Sequence, residues 1–134
     1  MAPKTDSYVD TSALIAFLDR SDSYHAVFKQ LFSHPPLLVT SSLVIAEGHG
    51  WFLRRYDQRR AIQFLSFVHE LPNLEIASFD ERDVIQAGLV VRKFSDQPLT
   101  LADAHGIVIM GARRIKTCWS TDRHLALAGA RLVM

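Results

Sequence analysis

The chain of 134 residues is 49% hydrophobic and 22% charged, which suits one folded domain with a sizeable core and excludes a disordered or fibrous protein. A formal net charge of +1 says little about partners, and a single cysteine, Cys118 in an apolar stretch, excludes a disulfide framework or a cysteine-rich zinc site. Apolar runs such as Ile107 to Met110 are far too short to span a membrane, and the opening Met-Ala-Pro-Lys-Thr-Asp-Ser lacks the apolar middle of a leader, so a cytoplasmic protein is expected.

In chain order, Ser7-Tyr8-Val9-Asp10 predicts a strand that ends on an acid, followed at once by a helix along Leu14, Ile15, Phe17 and Leu18. Ser21-Asp22-Ser23 punctuates, a second helix is predicted over Tyr24 to Phe32, and His34-Pro35-Pro36 stops it. Leu37-Leu38-Val39 predicts a buried strand, and Thr40-Ser41-Ser42 offers caps for a helix to about Tyr56. Asp57 is placed to cap a helix over Gln58 to Leu71, with Ala61, Phe64, Leu65 and Val68 at helical spacing. A strand over Leu74 to Phe79 and a helix from Asp80 to Phe94 come next. After Asp96-Gln97-Pro98 a helix runs from Leu101 to near Arg113 and Arg114. Lys116 to Ser120 predicts a strand, Asp122 caps a short helix to about Ala128, and Arg131-Leu132-Val133 closes the chain as a strand. Strands alternating with helices predict an α/β fold, a mostly parallel sheet with helices on both faces, in one domain over residues 1–134.

The helix from Leu101 is the element around which the rest is organised. Nearly every position to Ala112 is apolar or glycine, so it needs cover on most sides, and Asp103 stands out within it. A carboxylate removed from water must be paired, bound to a metal or protonated. The ordinary alternative is a capping box with Thr100. Asp10 and Asp122 each end a strand and precede a helix, positions where a cap is equally ordinary, although sites in parallel sheets form beyond those same strand ends. Glu47 falls beside Leu43, Val44, Gly50 and Trp51 on an apolar stripe, and Gly48 and Gly50 permit close approach of a neighbouring backbone or ligand.

Taken together and in this order, Asp10-Thr-Ser-Ala-Leu, Glu47 at the end of Ser-Leu-Val-Ile-Ala-Glu, Asp103 in Leu-Thr-Leu-Ala-Asp-Ala and Asp122 in Ser-Thr-Asp-Arg-His-Leu resemble the PIN-domain nucleases, in particular the short single-domain kind that includes VapC-type toxins. The resemblance covers essentially the whole chain. It implies a three-layer α/β/α fold whose acids converge on divalent metal, with Asp10, Glu47 and Asp103 as main ligands and Asp122 completing the site. It also implies a supporting hydroxyl at Thr121, with Thr11 or Ser12 doing the same beside Asp10. The one departure is Gly48-His49-Gly50, where many relatives carry ordinary helix formers.

That residue set suits phosphodiester hydrolysis. One or two Mg²⁺ or Mn²⁺ ions activate water and stabilise charge on the attacking and leaving oxygens, and hard cations take oxygen ligands. The resemblance implies a metal-dependent endoribonuclease of the kind that includes the toxins of toxin–antitoxin pairs, with RNA as substrate, an antitoxin as partner and a homodimer as assembly. The rival readings are a catalytically idle PIN-like module that binds RNA or protein, and a phosphatase or receiver domain, which would need adjacent acids where Asp10-Thr-Ser stands. Zinc is disfavoured: Glu47 and His49, Asp103 and His105, and Asp122 and His124 are each two apart, and such residues diverge on a helix. Arg54 to Arg60 is the densest basic run, suited either to RNA phosphates or to solvated cations at a helix junction. Trp51, Phe52, Phe64 and Phe67 read as core or subunit interface rather than base-stacking platforms.

Overall fold

The structure, a computed structural model, describes residues 4–134; the opening Met-Ala-Pro read above for a leader lies outside them. Strands and helices alternate as β1 (Ser7–Val9), α1 (Thr11–Leu18), α2 (His25–Leu31), β2 (Leu38–Ser41), α3 (Ser42–Arg55), α4 (Gln58–Glu70), β3 (Leu74–Ala77), α5 (Glu81–Lys93), α6 (Leu101–Arg113), β4 (Thr117–Trp119) and β5 (Arg131–Val133), with a 3₁₀ turn at Arg123–Ala126. Every strand pairing is parallel, and the sheet order is β3-β2-β1-β4-β5. Parallel neighbours need crossovers, which place helices on both faces and give the three-layer α/β/α fold.

This order fixes where a site can form. From β1 the chain steps outward through β2 and β3 and then returns to the other side of β1 as β4. The direction of winding therefore reverses between β1 and β4, which opens a crevice at the carboxyl ends of those two strands. The register sets Val9 opposite Trp119, and the Asp10 N–H extends the ladder by donating to the Trp119 carbonyl at 3.0 Å. The residues that follow, Asp10 on one strand and Ser120 on the other, are thereby brought together.

The core is built on both sides of β1 and β2, with Tyr8, Val9, Leu14, Phe28, Leu38, Val39, Phe52 and Phe64 fully buried; each large side chain contributes about 1.5–3 kcal/mol by leaving water. Phe52 and Phe64 are core residues as expected, and Trp51 and Phe67 are partly buried against the core. Two glycines allow the close contacts. A Cβ at Gly48 would lie 2.3 Å from the Phe64 ring, so only glycine lets α4 seat its phenylalanine on α3. A Cβ at Gly106 would lie 2.7 Å from Tyr8, so glycine there lets α6 press against β1. Gly106 is one helical turn beyond Asp103, and this close seating is what carries Asp103 to the end of β1.

Boundaries shift where local chemistry competes. Thr40 and Ser41 end β2, where the Thr40 hydroxyl donates to the Val9 carbonyl at 2.6 Å, and Ser41 is at the same time the N-cap of α3, its hydroxyl accepting from the Leu43 N–H at 3.0 Å as expected. The helix expected from Asp122 to Ala128 is only the 3₁₀ turn, since Gly129 at φ 104 ends the segment before it is long enough to hold an α-helix.

Candidate metal centre

Asp10 occupies the N-cap of α1, yet its carboxylate makes no capping bond. Its Oδ2 instead accepts from the Ser12 and Ser120 hydroxyls, each at 2.9 Å. These serines are themselves held by backbone: Ser12 Oγ accepts from the Thr121 N–H at 3.0 Å, and Ser120 Oγ accepts from the Asp122 N–H at 2.8 Å. The exit of β4 thus fixes Asp10 through two hydroxyls.

Asp103 is buried at the start of α6 and does form the capping box: its Oδ2 accepts from the Thr100 N–H at 3.2 Å and Thr100 Oγ1 accepts from the Asp103 N–H at 3.1 Å. Its other oxygen accepts no hydrogen bond from the described residues. Capping and site membership therefore coexist in one side chain. Asp122 likewise caps the 3₁₀ turn through the His124 N–H at 3.0 Å, while its carboxylate lies 2.9 Å from His124 Nδ1. One ligand atom from each of Asp103, Asp122 and His124 falls within 4.8 Å of the others. Glu47 lies outside that group on α3, its Oε1 accepting from the Thr11 hydroxyl at 2.6 Å.

Burial dominates the electrostatics. It pushes the Asp10 carboxyl up to about 6, against the pull of the Ser120 and Ser12 hydroxyls and with added repulsion from Asp103. Burial also raises Asp103, Thr100 partly restrains it, and repulsion from Asp122 adds to the rise. Among the described residues no Lys or Arg forms an ion pair with Asp10, Glu47, Asp103 or Asp122. These are acids gathered without a countercharge, a donor set of carboxylate oxygens, hydroxyls and one imidazole that fits a hard divalent cation.

The structure brings Asp103 and Asp122 together with His124 at the predicted end of the sheet, with Asp10 near enough to feel the charge of Asp103; Asp10 and Glu47 lie outside that close group, and Glu47 is held by Thr11, one residue beyond Asp10. Glu47 is not on the apolar stripe of its helix. The buried line of α3 runs Val44, Gly48, Phe52, and Glu47, one position off it, is exposed. Thr121 supports the site through its backbone N–H to Ser12, whereas the hydroxyl that reaches Asp10 belongs to Ser120. Ser120 was not singled out in the sequence; its signal lies in the strand register, which sets it beside Asp10. Residues two apart diverge on a helix, which disfavours pairing Asp122 with His124, but Asp122 precedes the turn in extended backbone at φ -96, ψ 114, which lets the two side chains meet. His105 stays out of the cluster: it is buried, Nδ1 lies 2.6 Å from the Ser41 hydroxyl, the ring packs edge-on to Phe79, and burial lowers its pKa. Cys118 is buried, and burial pushes its thiol up, as befits a core side chain.

Known proteins share this fold and sequence pattern. The family model for the PIN domain matches residues 7–130. Ribonuclease VapC26 of Mycobacterium tuberculosis is 30% identical over 118 residues, 86% of this chain and 85% of that protein. The crystal structure of Mycobacterium tuberculosis VapC20, a sarcin–ricin loop cleaving toxin, superposes with a TM-score of 0.85 at 22% identity, covering 94% of this chain and 97% of that one. VapBC2 of Rickettsia felis, bound to a promoter DNA fragment, superposes at 0.64 with 15% identity over 96% of this chain and 98% of that one. The chain belongs to the PIN-domain family and, within it, to the VapC type.

Proposed function

We propose that the chain is a metal-dependent endoribonuclease of the toxin–antitoxin kind, with Asp10, Glu47, Asp103 and Asp122 as the ligand set for Mg²⁺ or Mn²⁺. The observation that carries this reading is the group of acids at the β1/β4 crevice, two of them raised in pKa, with no Lys or Arg to pair them. Like charges held together in the resting protein are costly, and a site tolerates that cost where a cation is to be bound. The 30% identity to a ribonuclease over most of the chain supports the same reading.

A bound Mg²⁺ or Mn²⁺ would activate water and stabilise charge on the phosphate oxygens. The chain's own part is positioning. Ser12 and Ser120 hold the Asp10 carboxylate in one orientation, and the Thr121 N–H fixes Ser12 from behind. The Thr100 box holds Asp103 so that its second oxygen remains available. Thr11 orients Glu47, whose exposure leaves it on the open, substrate-facing side of the group. Asp122 and His124 close the far side from the turn after β4.

The partners follow from the same reading. A VapB-type antitoxin is proposed from the VapC type of the chain and from the fold it shares with VapBC2 and with a Klebsiella pneumoniae toxin–antitoxin complex, the latter at a TM-score of 0.63 and 16% identity. A homodimer is proposed from the exposed Val84, Ile85 and Leu89 on one side of α5, an apolar face that a second copy would cover.

The test is cleavage of labelled RNA by the purified protein. Cleavage in Mg²⁺ or Mn²⁺ that stops in excess EDTA is the expected result. Equal activity in EDTA would defeat the metal mechanism, and no cleavage of any RNA with either ion would favour the idle module.

A further inference from the structure

The acidic crevice has an opposite number. α1 and α3 both start at the carboxyl edge of the sheet and run back toward its other edge, α3 over 14 residues and therefore about 21 Å. Where they end, an open cavity of about 800 Å³ is lined by Leu18, Asp19, Tyr56, Asp57 and Gln63 with four arginines, Arg20, Arg55, Arg59 and Arg60. Its floor is rigidly built. The buried Asp19 accepts from the Ser21 N–H at 3.1 Å, the Ser21 hydroxyl at 2.7 Å and the Tyr56 hydroxyl at 3.0 Å, which pins the Tyr56 ring. The Arg60 guanidinium stacks on that ring 4.4 Å from its centroid and reaches the Leu18 carbonyl at 3.4 Å, and Arg55 lies 5.7 Å from the same ring. Among the described residues none of the four arginines forms an ion pair. Four guanidinium groups against two carboxylates leave the lining at +2. Arg60 spends an N–H on the Leu18 carbonyl, whereas the exposed Arg55 and Arg59 make no side-chain hydrogen bond among the described residues, and a free guanidinium fork matches the paired oxygens of a phosphate.

We propose that this arginine-lined cavity is an anchoring site for the phosphodiester backbone of the RNA substrate, roughly one helix length from the proposed cleavage site. The inference rests on the ribonuclease reading for the identity of its ligand. Long RNA then bridges two poles, an acidic one where one phosphate is cut and a basic one where others are held. Short RNA reaches only the first. Contacts with phosphates release counterions, so the second site governs affinity and its salt dependence rather than the rate of cleavage.

The test is fluorescence anisotropy in EDTA, where binding is read without cleavage, on the wild type, Arg55→Gln/Arg59→Gln and Arg55→Lys/Arg59→Lys. Both side chains are exposed, and thermal melts check that each variant is folded. The glutamine variant is expected to bind a 30-nucleotide RNA about tenfold or more weakly and to lose about 1.4 from the slope of log K on log salt, two contacts at about 0.7 each for a single strand. The lysine variant is expected to recover the slope. A dinucleotide, whose single phosphate cannot occupy both poles, should bind equally to all three proteins and, in Mn²⁺, be cut by them at the same kcat. Unchanged affinity and slope for the long RNA would overturn the proposal. So would a loss of binding to polyglutamate but not to RNA, which marks a protein-docking site, or displacement of the RNA by micromolar inorganic phosphate, which marks a small-anion site. Failure to cleave in Mn²⁺ with this binding intact would count against the nuclease alone.

Discussion

Two buried aspartates bracket α1, and they meet opposite fates. Asp10 precedes the helix and Asp19 follows it; each is nearly inaccessible, and each accepts from a serine hydroxyl two residues further on, Ser12 and Ser21. Burial acts to raise both. At Asp10 it wins, with Asp103 adding repulsion, and the pKa stands at about 6. At Asp19 it loses to the Ser21 hydroxyl and N–H, the Tyr56 hydroxyl and the field of Arg60, and the pKa falls below its usual value. The same residue type at the two ends of one helix is thus a fully hydrogen-bonded structural anion at one pole and an acid crowded by a like charge at the other. A buried carboxylate identifies a site by the like charge beside it, not by its burial.

The sharpest way to break this contrast is to neutralise each in turn. Asp10→Asn should reduce RNA cleavage by about a thousandfold or more, the several kcal/mol that a metal centre contributes. Asp19→Asn should keep cleavage of short RNA and instead destabilise the fold by about 1–3 kcal/mol, since the donors around Asp19 lose their charged acceptor. Activity and chemical denaturation of both variants check this, and full activity in Asp10→Asn would remove the distinction.

Stability against pH should separate them by sign. In chelator, native Asp10 holds its proton up to about pH 6 while the unfolded chain releases it near 3.8, so stability falls as pH rises through that window, by an upper figure of about 3 kcal/mol. Asp103 contributes in the same direction. Asp19 works the other way: its contribution is present above 3.8 and is lost as pH falls below it through the lowered native value. Asp10→Asn should therefore remove the loss between pH 4 and 6 and make the metal-free protein more stable at neutral pH. Asp103→Asn should also stabilise it, because the amide oxygen can still accept the Thr100 N–H and the cap survives. Melts in EDTA from below pH 3.8 up to pH 8 read all three; a destabilised Asp10→Asn at pH 7 would show that Asp10 is a structural anion after all.

A smaller effect concerns the hydroxyls. Ser120→Ala should lower activity about 10–100-fold, as for loss of a group that orients a metal ligand. Thr121→Ala, whose backbone N–H to Ser12 is untouched, should stay within about twofold of wild type. Steady-state kinetics of the two variants decide which hydroxyl serves the site, and equal losses would restore a role for the Thr121 side chain.

The frame of the molecule was legible because alternating apolar runs and punctuating caps state it directly. Asp57 and Asp80 cap helices as expected, Asp57 through the Arg60 N–H at 2.9 Å and Asp80 in a box with Asp83. The acids at Asp10, Asp103 and Asp122 were legible because each ends a strand or interrupts an apolar helix. Their supports were not. Ser120 matters only through the register of β1 on β4, and His124 only through a turn that Gly129 keeps from becoming a helix. Periodicity also misplaced Glu47 by one position, because the buried line of α3 follows Gly48, whose role as the seat of Phe64 needs the neighbouring helix to be seen. The arginine run was visible, but the residue that organises it, Asp19, has no local signature: it is an acid after a helix until Tyr56 is folded onto it.

On the proposed function the acids at one pole form a single metal centre, and the buried acid at the other pole is not part of it. Calorimetric titration of Mn²⁺ into the wild type, Asp10→Asn, Asp103→Asn, Asp122→Asn and Asp19→Asn measures this directly. The expected result is that each of the first three variants binds at least about tenfold more weakly while Asp19→Asn binds as the wild type does. Wild-type affinity in Asp10→Asn and Asp103→Asn, or a loss in Asp19→Asn as large as theirs, would contradict it.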